Sequence, residues 1–219
     1  MTDLILIGAG GHARVVIEIL KRARQTIVAA VDANPKLHGI NLDGVPVIGG
    51  DEKILDRKPT DVMLINAVGN VGLAIGQSGL SVRRGLFERF TAQGYRFGSV
   101  ISPDATVAST AHLDHGCHII TGAILHPGAK VGANTIINTG AQLDHDCIVG
   151  AHCHIAPGVI FSGAVTVGDN VHVGVGAAVV QGIRIGSNAV IGAGAVVTAD
   201  VPAGITVLGC PARPVERRP

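Results

Sequence analysis

The sequence predicts two parts of different architecture: an α/β domain over residues 1–98 and an all-β parallel β-helix over residues 99–219. Three observations lead to this prediction. The second half carries a large apolar residue at every sixth position, whereas the first half opens on a buried strand, a glycine-rich turn and a helix. The chain of 219 residues has 31 glycines and is 47% hydrophobic, yet it has four phenylalanines, one tyrosine and no tryptophan. A narrow aliphatic core with glycine at its corners would produce this composition.

The six-residue repeat runs without a break from Val107 to Val197. The residue two positions before each repeat position is small or β-branched, and the residue that follows is often Gly, Asp or Asn, which suit turns. This pattern is typical of a parallel β-helix in which three repeats close one triangular coil, so that residues 18 apart stack at about 4.8 Å. The repeat positions are Val107, Leu113, Ile119, Leu125, Val131, Ile137, Leu143, Val149, Ile155, Phe161, Val167, Val173, Val179, Ile185, Ile191 and Val197.

The first half alternates strands with helices, which predicts a small half-Rossmann-like α/β domain. We expect strands at 4–7, 27–31, 45–48 and 62–67, and helices at 14–22, 51–57 and 81–93. Gly8, Gly10 and Ala13 match the G-x-G-x-x-G/A fingerprint, with Asp32 about 20 residues further on. A dinucleotide site needs two such halves and this domain has room for one, so the motif favours a site for a single nucleotide. A tight strand–helix turn without a ligand is the alternative.

Composition and charge exclude several classes of partner. Lys and Arg number 17 against 16 Asp and Glu, which leaves no basic face for nucleic acid, and the aromatic residues are too few for base stacking. The apolar period of six matches neither a transmembrane helix nor the alternation of a membrane barrel, so we expect no membrane partner. The chain opens Met-Thr-Asp without a cationic segment before the apolar run. We therefore expect no secretory signal and a cytoplasmic location.

The repeat phase also places the histidines and cysteines of the second half. Cys117, Cys147 and Cys153 occupy the small inward position and are expected to be core thiols. The histidines at outward positions are His115, His118, His145, His154 and His172. Outward histidines on a β-helix leave open a zinc hydratase similar to the γ-carbonic anhydrases, although the His-x4-His spacing of that family is missing. We expect no metal. A scaffold without catalytic activity is a further alternative.

Three segments together carry a resemblance to a known family. They are the glycine-rich turn at 8–12, the segment 138–150 around the Asp-His-Asp sequence of Asp144, His145 and Asp146, and the tail 207–213 with its Gly-Cys-Pro-Ala sequence. In this order they resemble the sugar O- and N-acetyltransferases of the sialic-acid and bacillosamine-pathway type, including perosamine N-acetyltransferases. The resemblance spans nearly the whole chain and implies a left-handed β-helix of hexapeptide repeats.

The resemblance also implies an activity and a set of site residues. It implies an acetyl-CoA-dependent N-acetyltransferase acting on a nucleotide-linked amino sugar, a 4-amino-4,6-dideoxy hexose on UDP or GDP, in a homotrimer with active sites between subunits. O-acetylation of a sialic-acid-like sugar is the alternative. His145 matches the family's general base and Asp146 the acidic residue that assists it. The residues that match acetyl-CoA contacts are His154, Val175 and Ala193. Those that match nucleotide-sugar contacts are Gly10, Gly11, His12, Asp32 and Gly69.

The sequence departs from the family pattern in two places. Asp146 stands where the bacillosamine-type enzymes have the longer Glu, which leaves its reach toward His145 open. The segment 71–84 is longer than the corresponding family loop and follows Gly69, so it is expected to influence which nucleotide or sugar fits. Arg83 and Arg84 at its end would either meet phosphates or form part of a solvated helix face.

Overall fold

The computed structural model describes residues 3–69 and 80–215. Its first part is an α/β unit in which a parallel sheet is flanked by helices, as the alternating pattern predicts. A short 3-10 helix at Pro35–Leu37 precedes a small hairpin. The elements of this unit are β1 (Asp3–Ile7), α1 (Gly11–Arg22), β2 (Ile27–Val31), β3 (Asn41–Leu42), β4 (Val45–Pro46), α2 (Glu52–Leu55), β5 (Val62–Asn66), α3 (Leu80–Ala92) and β6 (Arg96–Phe97).

The four-stranded sheet has the order β2-β1-β5-β6 with every pair parallel. The carboxyl ends of β1, β2 and β5 therefore meet at one edge of the sheet, where ligands of open α/β sheets commonly bind. Two expected elements are shorter in the structure. The strand expected at 45–48 is only Val45–Pro46, paired with β3, because Val47 instead forms an isolated parallel bridge with Ala30 of β2. The helix expected at 51–57 is also shorter in the structure, where α2 spans only Glu52–Leu55.

The second part is a parallel β-helix with three faces and about six coils. Partner strands are 18 residues apart, as in the pairing of His118 with Ile136, except in the last coil, where Val190 pairs with Thr206. The first face consists of Val100–Ile101, His118–Ile119, Ile136–Ile137, His154–Ile155, His172–Val173, Val190–Ile191, Thr206–Leu208 and the antiparallel Arg213–Pro214. The second face consists of Thr106–Val107, Ile124–Leu125, Gln142–Leu143, Ile160–Phe161, Ala178–Val179 and Val196–Val197. The third face consists of His112–Leu113, Lys130–Val131, Ile148–Val149, Thr166–Val167 and Arg184–Ile185.

The predicted repeat positions form the core of the β-helix. All of them from Ile119 to Val197 are buried, whereas Val107 and Leu113 are half-buried because they lie in the first coil, which has a coil on one side only. The residues two positions earlier are buried beside them, which confirms the two inward positions per repeat. Phe161 is the one aromatic residue among these buried positions, with 1% of its surface exposed.

The three predicted core thiols are buried and hydrogen-bonded to the backbone. Cys117 donates to Gly132 O at 3.1 Å, and Cys153 donates to Gly168 O at the same distance. Burial raises the pKa of the Cys153 thiol to about 12 and that of the Cys117 thiol to about 11, so both thiols are protonated at neutral pH. Cys210 lies outside the repeat and is exposed.

The vertices of the coils need residues in the left-handed backbone region. The vertex between the first and second faces uses glycine in five successive coils, at 122, 140, 158, 176 and 194. The vertex between the third and first faces uses asparagine, with φ near +57° at Asn134 and similar values at Asn170 and Asn188. Asparagine tolerates this region better than most residues with a Cβ atom. One vertex is therefore built from glycine, and this one mainly from asparagine, with Gly116 and His152 in its column.

The first face of the β-helix packs against helix α1. Val100, Ile120 and Ile136 of the β-helix share one buried cluster with the apolar face of α1, which includes Val16 and Leu20. This packing explains a difference from the sequence prediction. His118 points out of its coil as expected, but the α/β unit covers it and no part of it is exposed. No helix within the described residues is long and apolar enough to cross a membrane.

Replacing Phe161 with alanine should destabilise the β-helix. The substitution empties a site in a core one side chain wide, where neighbouring coils cannot close in, and should cost about 3–5 kcal/mol of the free energy of unfolding. Chemical denaturation followed by circular dichroism measures the change. Replacement by leucine should cost less, and Leu55→Ala, at a position 55% exposed, should change stability by less than about 0.5 kcal/mol. Equal stabilities of the Phe161→Ala variant and the parent would contradict this packing.

Candidate active site

A cleft of about 450 Å³ lies between the α/β unit and the first face of the β-helix. The sheet contributes the carboxyl ends of β1, β2 and β5 to this cleft, and α1 contributes its first turn. The β-helix contributes Ile136, Asn138 and His154. All five residues predicted to contact a nucleotide sugar line this cleft, namely Gly10, Gly11, His12, Asp32 and Gly69. The structure thus brings these five together with His154.

The glycine-rich turn keeps the cleft open at the start of α1. A Cβ atom on Gly8, which has φ +101°, would come within 2.9 Å of the Val68 side chain, so the turn and the β5 loop touch there. Among the residues that the structure describes, no atom lies within 4 Å of a Cβ atom built on Gly10 or Gly11. Helix α1 has no acidic residue in its first turn and no side-chain cap. Its N-terminal N–H groups and dipole therefore favour an anion in the cleft.

The Asp32 carboxylate holds the turn in place. It accepts hydrogen bonds from Ala9 N–H at 2.7 Å and from Asn34 N–H at 2.8 Å, so it ties the end of β1 to the end of β2. Two of its lone-pair positions are therefore used within the protein, and the remainder are available to a ligand. Asp32 is both part of the cleft wall and part of the scaffold that shapes it.

His12, which lines the cleft, stacks on the fully buried His118. The Nε2 atom of His12 and the Nδ1 atom of His118 are 3.1 Å apart, and the ring centroids are 5.3 Å apart. Burial, reinforced by the charge of Arg83, lowers the pKa of His12 to about 3 and that of His118 well below its ordinary value. Both imidazoles are therefore neutral at physiological pH, and one donates to the other. In the described part of the chain the Nε2 atom of His118 has no partner.

His154 is also neutral and is oriented by an amide. The side chains of Asn138 and His154 are joined by a bond of 3.1 Å between Nδ2 and Nε2, in which the amide donates. Burial, with a smaller effect of His172, lowers the pKa of His154 to about 3. The neutral ring then carries its proton on Nδ1, which has no acceptor among the described residues. His154 is therefore uncharged, and its Nδ1–H group is buried.

His145 and Asp146 lie at the vertex between the second and third faces. Asp146 Oδ2 is 2.9 Å from His145 Nδ1, and Asp144 accepts a bond of 2.7 Å from the backbone N–H of His145. The shorter carboxylate of Asp146 therefore does reach the ring. The hydrogen bond to Asp146 is the largest cause that raises the pKa of His145. Asp146 has φ +58°, a conformation in which aspartate is enriched, so the backbone of this vertex favours Asp.

Glycines in the adjacent coils make room for this pair. A Cβ atom on Gly163, one coil after His145, would overlap the imidazole Nε2 and Cε1 atoms. A Cβ atom on Gly128, one coil before Asp146, would overlap the Asp146 carboxylate. The inward positions of the repeat do not mark these glycines. They can be found from the repeat, because the residues 18 positions before and after a side chain are its neighbours in the adjacent coils.

The remaining predicted acetyl-CoA contacts lie at another vertex. Val175 and Ala193 are exposed at the vertex between the first and second faces and stack on each other, with Gly194 N–H donating to Val175 O at 2.8 Å. His145 and His154 are nine residues apart, half a coil, so the vertex that carries His145 lies opposite the first face. Within one chain, the structure does not bring His145 into the cleft.

The segment 71–84 is described only in part. Residues 71–79, and Asn70 beside the predicted contact Gly69, lie outside the described residues. Of the two arginines, Arg84 is exposed and pairs with Glu88, which agrees with a solvated helix face. Both interpretations are wrong for Arg83, which is 1% exposed and hydrogen-bonded to backbone carbonyls.

Within residues 3–69 and 80–215, no three His, Cys, Asp or Glu side chains are placed to hold a metal ion.

Comparisons with known families match both parts of the chain. The family described as PglD N-terminal domain matches residues 3–89. The bacterial transferase hexapeptide (six repeats) matches residues 128–163, and the hexapeptide repeat of succinyl-transferase matches residues 164–199. No curated protein matches the sequence.

Solved structures match over nearly the full length. A histidine-to-alanine mutant of GDP-perosamine N-acetyltransferase from Caulobacter crescentus, in complex with CoA and GDP-perosamine, is 34% identical, with 99% of this chain and 98% of that chain covered and a TM-score of 0.89. The acetyltransferase domain of PglB from Neisseria gonorrhoeae FA1090, in complex with acetyl coenzyme A, is 35% identical, with 97% and 98% covered and a TM-score of 0.87. WeeI from Acinetobacter baumannii AYE is 25% identical, with 98% and 100% covered and a TM-score of 0.86.

The architecture, the matched families and the full-length similarity agree with the resemblance carried by the turn at 8–12, the segment 138–150 and the tail. The chain belongs to the family of sugar acetyltransferases in which a PglD-type N-terminal domain precedes a left-handed β-helix of hexapeptide repeats.

Proposed function

We propose that the protein transfers the acetyl group of acetyl-CoA to the amino group of a nucleotide-linked amino sugar, a 4-amino-4,6-dideoxy hexose on GDP or UDP. The observation that carries this proposal is that one cleft is lined by all five expected nucleotide-sugar contacts and by His154. The complexes of similar proteins with GDP-perosamine and with acetyl coenzyme A support both substrates. We further propose that residues 1–98 form the nucleotide-sugar domain and residues 99–219 the acyltransferase domain.

The cleft suits a nucleotide diphosphate. The diphosphate would lie at the N-terminus of α1, where Gly10 and Gly11 leave space for close approach to the backbone. Asp32 retains acceptor positions for hydroxyl groups of the ligand, and Gly69 brings the β5 loop against His12. Neutral His12 would contact the sugar or a phosphate oxygen without the cost of burying a charged imidazole.

Acetyl-CoA would lie along the β-helix. Val175 and Ala193 expose successive backbone segments at one vertex, which suits the amides of a pantetheine arm, and neutral His154, which lines the cleft, would lie near the thioester. Between them these residues would contact the cosubstrate over several coils, as expected for a long and flexible molecule bound in a groove.

A neighbouring copy of the chain would supply His145, and we propose a homotrimer for this reason. His145 lies at the vertex opposite the face that borders its own cleft, so a site that contains both needs two chains. Ile148 on the third face and Ile160 on the second face are 42% and 47% exposed, and their burial between copies would stabilise the assembly. Threefold symmetry would form three equivalent sites.

The chemistry of His145 follows from its tautomer. Asp146 accepts the Nδ1 proton of the imidazole, so the lone pair is on Nε2, toward Gly163. The sugar amine is largely protonated at neutral pH and must lose a proton to Nε2 before it can attack. Its nitrogen then forms a bond to the thioester carbonyl carbon and loses a second proton, the carbon–sulfur bond breaks, and the thiolate of CoA takes up that proton.

A thiol-release assay with acetyl-CoA and a panel of GDP- and UDP-linked amino sugars tests this function. The parent protein should release CoA with at least one 4-amino-4,6-dideoxy sugar. His145→Ala should lower kcat/KM by roughly 10²–10⁴-fold, the usual contribution of a general base. The matched control is His112→Ala, since His112 forms a similar exposed pair with Asp114 at 3.3 Å. It should retain full activity.

Two outcomes would contradict the proposal. Near-parental turnover by His145→Ala on every active sugar would remove its role as the base. Thiol release only with hydroxyl acceptors of the sialic-acid type would replace N-acetylation with O-acetylation, since the same panel can include those sugars.

The ionisation of His145 should control the rate as a function of pH. Because the pKa of His145 is raised, kcat/KM should rise with pH through a value above 6.5 as the imidazole loses its proton. Asp146→Asn replaces the charged acceptor of the Nδ1 proton with a neutral amide, so the pKa of His145 should fall, the rise should move to lower pH and the plateau should fall. NMR titration of the His145 ring measures the same shift directly.

Asp144→Asn is the matched control for this titration. The carboxylate of Asp144 accepts from the backbone N–H of His145 and affects the ring only through its charge, so the pKa should fall by less. Equal shifts in the two variants would show that the contact between Asp146 and the ring does not set the pKa.

A further inference from the structure

Arg83 carries a buried charge whose described acceptors are all neutral. It lies in the first turns of α3 and is 1% exposed. Its Nε donates to Asn134 O at 3.1 Å, and its Nη1 donates to Val68 O at 2.9 Å and to Asn66 O. A weaker contact of 3.5 Å joins Nη2 to Gly116 O. A buried charge without a charged partner is costly, so its position needs a reason.

The bonded carbonyls belong to two different parts of the fold. Asn66 ends β5, and Val68 lies in the loop that forms one wall of the cleft. Gly116 and Asn134 lie one coil apart at the vertex between the third and first faces of the β-helix. One guanidinium therefore joins the β5 loop to the β-helix. The side chain of Asn66 strengthens this junction, donating to Arg83 O at 2.9 Å and to Asn134 Oδ1 at 3.2 Å.

The charge of Arg83 reaches the residues of the cleft. Burial lowers its pKa to about 9, so the guanidinium remains protonated at neutral pH. Its charge adds to the effect of burial in lowering the pKa of His12 and of His154, both of which line the cleft. A positive charge in a poorly screened interior raises the potential nearby, which favours an anion in that place.

We propose that Arg83 is a positioning residue for the nucleotide sugar: it holds the β5 loop at a fixed spacing from the β-helix and supplies positive potential behind the diphosphate. It acts through the backbone of residues 66–68 and does not touch the substrate. This proposal rests on the proposed function, in which the cleft binds the nucleotide sugar. It predicts a larger effect on the nucleotide sugar than on acetyl-CoA. The acetyl-CoA contacts Val175 and Ala193 lie at a separate vertex, and burial, the largest cause of the lowered pKa of His154, keeps that ring neutral without Arg83.

Steady-state kinetics of Arg83→Met, Arg83→Lys and Arg84→Met test this proposal. Arg83→Met removes the charge and the bonds at similar side-chain length, and should raise KM for the nucleotide sugar by about 10–100-fold, with KM for acetyl-CoA changed by less than about twofold. Arg83→Lys keeps the charge but loses the planar fork, so its effect should be smaller and in the same direction. Arg84→Met removes an exposed arginine of the same helix and should match the parent.

The outcomes are distinguishable. Equal rises in both KM values, or a fall in kcat alone, would overturn the proposal in favour of general structural damage, and an unchanged KM would overturn it directly. If Arg83→Met does not fold, Arg83→Lys decides on the same criteria.

If the parent acetylates no nucleotide sugar, the proposed function fails, and thermal shift with GDP or UDP alone tests Arg83. The nucleotides should raise the melting temperatures of the parent and of Arg84→Met. They should raise those of Arg83→Met and Arg83→Lys by less. Equal stabilisation of all four proteins, or of none, would overturn the role of Arg83.

Discussion

Parallel hydrogen bonding between residues 18 positions apart is the interaction on which the rest of this structure depends. It keeps the coils in register, so that each side chain has fixed neighbours in the adjacent coils, as His154 has in His172. The inward positions must then be small aliphatic residues, and the vertices must accept the left-handed backbone region. The same register places Gly163 over the His145 ring and Gly128 under the Asp146 carboxylate. Backbone pairing thus sets the surroundings of the proposed base.

The second constraint is the junction between the α/β unit and the first face. A cleft between two units has a useful shape only if their spacing is fixed, and here the spacing rests on apolar packing of α1 and on a buried polar network around Arg83. The desolvation that keeps His12, His118 and His154 neutral comes from the same junction. Stability and binding chemistry are therefore coupled in this region, because the groups that hold the units together also form the walls of the cleft.

The sequence predicted the periodic features well and the contacts between units poorly. The repeat positions, the core thiols, the glycine-rich turn before α1 and the alternation of strands and helices in the first part follow from local patterns in the sequence. The burial of His118 does not, because the phase of a repeat shows that a side chain leaves its coil but not what covers it. Arg83 was missed for the same reason: its acceptors are carbonyls of residues 66, 68, 116 and 134, which are distant in sequence and carry no side-chain signature.

The most direct test of the central claim, a site shared by two copies of the chain, is complementation in mixed assemblies. His145→Ala lacks the proposed base, and Gly10→Asp places a carboxylate in the open space at the N-terminus of α1, where it should repel the diphosphate. Each variant alone should be nearly inactive in thiol release. Co-expressed in equal amounts, they should recover roughly a quarter of parental activity, since one site in four would combine an intact cleft with an intact His145 from the neighbouring chain. Activity that stays at the level of the separate variants would contradict the shared site.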